Sequence, residues 1–164
     1  TVSPRLSCST ATAGMSLSRG VPKRIQERDK PYVVYSIPPY AGAAQAVYAL
    51  AETQALGHAC EIETSMLLAA APDLARLDRV PARGFRTTPG PDVGAALTAV
   101  DFHAHYPEMA MGEPKKATRE KGEKAIDLWV DDIVDILRKI KRDRFTPRVV
   151  REYARKVYRR LPEK

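Results

Sequence analysis

The stretch GHACEIETSMLLAAAPDL, from Gly57 to Leu74, decides how this chain is read. An imidazole (His58), a thiol (Cys60) and two carboxylates (Glu61, Glu63) stand directly before an apolar run. Met66, Leu67, Ala70, Ala71 and Leu74 favour a buried helix that bends or ends near Pro72, whose ring cannot continue the hydrogen-bond ladder. Thr64 or Ser65 can cap such a helix, and Glu61 and Glu63 suit the positive end of its dipole. His58 can equally serve as acid, base or ligand near neutral pH, and Cys60, Glu61 and Glu63 add one soft donor and two hard ones. Residue chemistry alone leaves metal binding, proton transfer and helix capping all open.

Upstream, YVVYSI (Tyr32 to Ile37) is β-branched and aromatic and stops at Pro38 and Pro39, which predicts a short buried strand. Ala41 to Leu56 is Ala-rich and reads as a helix ending near Gly57. Downstream, residues 78–117 are punctuated by Pro and Gly and read as a long loop with a functional or interfacial role. Within it, DFHAHYPEM places Asp101, His103 and His105 on alternate positions; if extended, all three share one face, a start for a metal site, though a substrate-side or subunit-contact loop is the stronger reading. From Thr118 the sequence gives its clearest helix, with Thr118 as N-cap and Ile126, Trp129, Ile133, Ile136, Leu137 and Ile140 as one apolar stripe. A last helix is expected to start at Thr146 with Pro147 in its first turn and to turn Val150, Tyr153, Ala154, Val157 and Tyr158 inward. One strand among several helices leaves its backbone without partners, so a sheet is expected to be completed by something absent or weakly marked here.

The 164 residues suit one domain with an adequate core, and 44% hydrophobic against 29% charged residues place the chain among folding rather than disordered sequences. Cys8 and Cys60 are far apart, which predicts no bridge and a reducing, cytoplasmic setting. No apolar run is long enough to span a bilayer, so no membrane partner is expected. The net charge of +7 is concentrated between Arg138 and Arg160. That stripe reads first as a solvated helical face; phosphate backbones or acidic membranes are the alternative, with nucleic acid unsupported by any motif. Three segments follow: an irregular N-terminal stretch (1–31), a central body (32–140) and a basic C-terminal helix (141–164).

GHACEIETSMLLAAAPDLARLDRV resembles the signature of the creatininase (creatinine amidohydrolase) family: His-Ala/Gly-Gly, then Glu-Thr-Ser, then an apolar helix ending in an Ala-Pro element. GEPKKATREKGEKAI resembles a second element of the same family, which opens its last long helix. The resemblance runs from about Tyr32 to Leu137. It implies an α/β fold, here the C-terminal part of a three-layer α/β/α domain, helix-rich with few strands. It also implies hydrolysis of C–N bonds in small cyclic or linear amides at a two-metal centre of zinc, manganese or iron, in a protein that forms homo-oligomers.

By that resemblance His58 is the catalytic histidine that relays protons to the leaving nitrogen. Glu63 matches the glutamate of its Glu-Thr-Ser element; from the residues themselves, Glu61 and Thr64 are read as bracing the site with it, and Asp101, His103 and His105 as its substrate-side loop. Cys60 stands where the family usually has glycine. The family's metal-binding elements, Glu-x-His and Gly-His-x-Glu, have no match upstream of Tyr32, and the chain's one Gly-His is Gly57-His58 itself. The expectation is a chain that is weak or inactive alone and holds no metal ligands of its own; a companion chain that supplies them is the weaker sub-reading. The rivals are a self-sufficient metal protein and a non-catalytic basic module that binds RNA or acidic surfaces.

Overall fold

The computed structural model describes residues 32–89 and 100–158. The irregular segment read over 1–31, with Cys8, lies outside the described residues. The chain divides into two compact units, one of Gly42–Asp131 and the other of the residues up to Ala41 together with those from Asp132 onward.

The first unit holds helix α1 (Ala44–Tyr48), led in by a 3-10 turn at Ala41–Ala43, then helix α2 (Glu61–Ala70) and a short helix α3 (Asp101–His105). Helix α4 (Arg119–Arg142) begins in this unit. Its small core consists of Ala43, Val47, Cys60, Ile62, Ala110 and Ala125, with Glu61 and Ser65 buried among them. Helix α1 is much shorter than the sixteen-residue helix its alanines suggest. The backbone N–H groups of Glu52 and Thr53, which a longer helix would spend on its own carbonyls, go instead to the Glu61 carboxylate.

Helix α2 starts earlier than its hydroxyl residues suggest. Cys60 is the N-cap, with extended backbone (φ −75°, ψ 178°), and the N–H of Thr64 donates to its carbonyl at 2.9 Å. Thr64 and Ser65 are therefore inside the helix and cannot cap it. The Ser65 hydroxyl turns back on the Glu61 carbonyl at 2.7 Å. The helix ends at Ala70, ahead of Pro72, because the residue before a proline is driven out of helical backbone; Ala71 has φ −154°.

In the second unit YVVYSI forms no strand, and none occurs among the described residues. A strand needs a neighbour to take its N–H and C=O groups, and no such neighbour is present among them. Tyr35 is held instead through its hydroxyl, which donates to Asp143 Oδ2 at 2.8 Å. Asp143 Oδ1 accepts from the N–H groups of Phe145 (2.8 Å) and Thr146 (3.0 Å) and so caps helix α5 (Phe145–Tyr158), which begins one residue before the expected start. Hydrogen bonds from Thr146 above all, then from Tyr35, hold the Asp143 carboxyl down at about 2.

The expected N-cap of α4 is present: the Thr118 hydroxyl accepts from the N–H of Lys121 at 3.2 Å. Its apolar stripe is only half covered, and Gly122 and Ala125 are the buried residues of the helix. On α5 the inward reading holds for Ala154 but fails for Tyr153 and Val157, which are 59% and 38% exposed. Periodicity shows that a helix has an apolar face; it does not show that anything covers the whole of it.

Candidate functional site

The turn from Gly57 to Cys60 carries the imidazole. Gly57 has φ +154°, and a Cβ there would meet the Met111 side chain at 2.6 Å, so only glycine fits. Ala59 has φ +57°, an uncommon backbone for a residue with a side chain. Three bonds hold this turn. The N–H of Cys60 donates to the Gly57 carbonyl (3.3 Å), the N–H of Met111 donates to the His58 carbonyl (2.9 Å), and the N–H of Ala59 donates to Glu63 Oε2 (2.9 Å). The last is a variant of the capping box, in which a carboxylate at the third helical position reaches back over the helix start.

The same Glu63 oxygen lies 3.6 Å from His58 Nδ1. One carboxylate thus bonds the backbone under the histidine and lies beside its ring. The ring meets Phe102 edge-to-face, with centroids 5.7 Å apart and an interplanar angle of 76°. His58 remains 44% exposed, so a small molecule can reach it. Tyr48 stands near this group; burial first, then the charges of Cys60 and Glu63, push its phenol up.

Glu61 is completely buried and fully engaged. Oε1 accepts from Glu52 N (3.1 Å) and Lys121 Nζ (2.5 Å), while Oε2 accepts from Glu52 N (3.0 Å), Thr53 N (2.9 Å) and the Thr53 hydroxyl (2.8 Å). Burial pushes the carboxyl up, but the Lys121 ammonium and the Glu52 and Thr53 donors outweigh it and bring it down to about 2. Lys121 spends its three N–H donors on Glu61, Glu52 and the Lys116 carbonyl. Bonds first to Glu52 and then to Glu61 push its ammonium up.

One turn along α2, the Ser65 hydroxyl accepts from the N–H of Thr118 (3.1 Å), and a Cβ on Gly122 would collide with the Ser65 carbonyl. The two sequence motifs are therefore two sides of one contact: Glu61 and Ser65 against Thr118, Lys121 and Gly122. Gly112 faces Cys60 in the same manner, since a side chain on it would overlap the cysteine's Cα and Cβ. Cys60 is thus accommodated by a glycine opposite it.

Asp101, His103 and His105 do not share a face. Their segment is helical, with the N–H of Ala104 on the Val100 carbonyl (2.9 Å) and that of Tyr106 on the Phe102 carbonyl (2.8 Å). Helical spacing puts His103 on the side opposite Asp101 and His105. His105 Nδ1 lies 3.2 Å from the Thr88 carbonyl, and the Thr88 hydroxyl bonds the Ala104 carbonyl, so this histidine is tied into its own loop. Glu108 closes that loop through Arg83 and the N–H of Arg86; Arg83 foremost brings its carboxyl down to about 2. From α3 it is Phe102, overlooked in the sequence, that touches His58.

Among the described residues the donors do not fit a two-metal centre. Among the described residues no group of three or more His, Cys, Asp or Glu side chains is placed to hold a metal ion. The Glu61 oxygens already accept five hydrogen bonds, and His58 has one carboxylate beside it. Lys121 and Gly122 were missed as partners of Glu61 and Ser65. The signal available was a buried-side acid in one motif and a lysine next to a glycine in the other.

Compared with known proteins, the chain matches the family model described as Creatininase, creatinine amidohydrolase, over residues 13–137. The match reaches further upstream than Tyr32, where the motif resemblance begins, and ends where that resemblance ends. Neither the curated proteins nor the solved structures give a match. The family implies an α/β fold and suggests a metal-dependent, amidohydrolase-like function.

Proposed function

This chain belongs to the creatininase family, and we propose that it supplies the proton-relay side of a site that hydrolyses the C–N bond of small cyclic or linear amides. The observation that supports this reading is the His58–Glu63 pair: a half-exposed imidazole with its Nδ1 3.6 Å from a carboxylate that is itself anchored to backbone. With Nδ1 turned to Glu63, Nε2 is the nitrogen left to give a proton to the departing amine. Glu63 flanks the ring on its Nδ1 side. Phe102 and Tyr106, 5.1 Å apart, supply an aromatic wall beside the ring.

In this proposal the chain represents the C-terminal part of a three-layer α/β/α domain. The Glu-x-His and Gly-His-x-Glu elements that hold zinc, manganese or iron in the family are not found upstream of Tyr32 and have to be supplied to the residues described. A small amide is the substrate, and the chain alone is weak or inactive.

Two arms test this. The purified chain, supplied with zinc or manganese, is assayed for hydrolysis of a cyclic amide and is expected to show no turnover; turnover at the level of a complete family enzyme overturns the split-site reading. Co-expression with a polypeptide carrying both metal-binding elements is expected to restore hydrolysis, and His58→Ala in that complex is expected to remove it. Full activity of the His58→Ala complex overturns the role given to the imidazole.

A further inference from the structure

We propose that α5 is an interfacial helix that lays its exposed apolar row, Phe145, Val149, Tyr153 and Val157, onto a bilayer surface bearing anionic headgroups. This is independent of the chemistry at His58. The four residues are exposed by 64%, 40%, 59% and 38%. They recur every fourth position, so they form one line about 18 Å long that drifts slowly around the helix. The buried contact of this helix is Ala154, which lies to one side of that line.

On the other side stand cations. These are Arg144, Arg148, Arg151 and Arg155, while Lys156 falls between Phe145 and Val149 around the helix; with the single acid Glu152, residues 144–158 carry five positive charges less one, or +4. Lys156 pairs with Glu152 at 2.6 Å, and Arg148 lies 5.5 Å from the centroid of the Phe145 ring. An apolar row bordered by arginines, on a helix of low overall hydrophobicity, is the pattern that settles at the headgroup boundary. Among the described residues no helix is long and apolar enough to cross a membrane, so the helix would lie on the surface.

Charge complementarity selects an anionic partner, and the apolar row narrows it further. Nucleic acid would satisfy the arginines through phosphates but leave Val149 and Val157 in water. A protein groove would have to follow four side chains of unequal size along a drifting line, whereas lipid adapts to any such contour. Phe145 and Tyr153 are rings suited to the headgroup level.

The test is co-sedimentation of the full chain with phosphatidylcholine vesicles, alone or containing about 30% phosphatidylserine, at low salt. Pelleting is expected with the anionic vesicles and not with the neutral ones. It should weaken on moving from about 50 mM to about 500 mM salt. Tyr153→Glu is expected to lower partitioning about tenfold by placing a charge in the row. The pair Arg148→Gln with Arg155→Gln is expected to lower it about thirtyfold. Both variants alter exposed side chains, and an unchanged circular dichroism melt confirms that the fold is kept. Failure to pellet with anionic vesicles overturns the proposal. So does undiminished pelleting of a folded Tyr153→Glu chain, which would mean adhesion by charge alone. Binding of single-stranded RNA without any vesicle binding reassigns the helix to nucleic acid and also overturns it.

Discussion

Two carboxylates at helix starts, Glu61 in α2 and Asp143 ahead of α5, are both held at about 2, and they reach that value by different routes. Asp143 keeps part of its surface in water and is brought down by the hydroxyl and N–H donors around it. Glu61 is out of water altogether; burial alone would push its carboxyl up, and a lysine sixty residues away reverses the outcome. Equal acidity therefore conceals unequal risk. Removing a donor from Asp143 returns an exposed acid to water, while removing Lys121 strands a charge in the core.

The largest expected effect follows from that contrast. Lys121→Met should cost about 3–5 kcal/mol of stability in urea unfolding, because the Glu61 carboxylate keeps its burial and loses its counter-charge. Adding Glu61→Gln to Lys121→Met should recover part of the loss; a double variant no more stable than Lys121→Met alone would break the comparison. Next comes Gly122→Ala, expected to cost about 1–3 kcal/mol, since the new methyl meets the Ser65 carbonyl, which is backbone and cannot swing aside. Asp143→Asn should be mildest, a loss of a few degrees in melting temperature, because the amide oxygen can still accept one N–H bond.

Acid sharpens the comparison further. Both folded carboxyls lie below their ordinary values of 4.5 and 3.8, so their contributions are full above those values and are lost as pH falls toward 2. Stability measured from pH 5 down to about pH 2 should fall, and Glu61→Gln should flatten that slope more than Asp143→Asn does.

What could be read in advance followed from how local each cause is. The long helix α4, its Thr118 cap and the termination of α2 before Pro72 rest on neighbours a few residues apart and were readable. The reach of α1 was not, because the groups that stop it bond to Glu61, outside any helical window. The strand expected at Tyr32–Ile37 failed for a related reason: a strand is a statement about a neighbour, which its own residues cannot supply.

At the site, the closeness of His58 and Glu63 was implicit in five residues of spacing, and their contact follows from the turn between them. The grouping of Asp101, His103 and His105 assumed extended backbone and was lost when the segment proved helical. Lys121 was beyond reach, since nothing near Glu61 in sequence announces a partner sixty positions on.

That separation also sets an order of events during synthesis. When Glu61 leaves the ribosome, its lysine, the Thr118 that bonds Ser65 and the glycine that makes room for the Ser65 carbonyl have not yet followed. Until residues 118–122 emerge, the start of α2 has an acid it cannot bury, and its apolar face lacks the helix that covers it. The nascent chain must wait with that surface open until the second motif has followed.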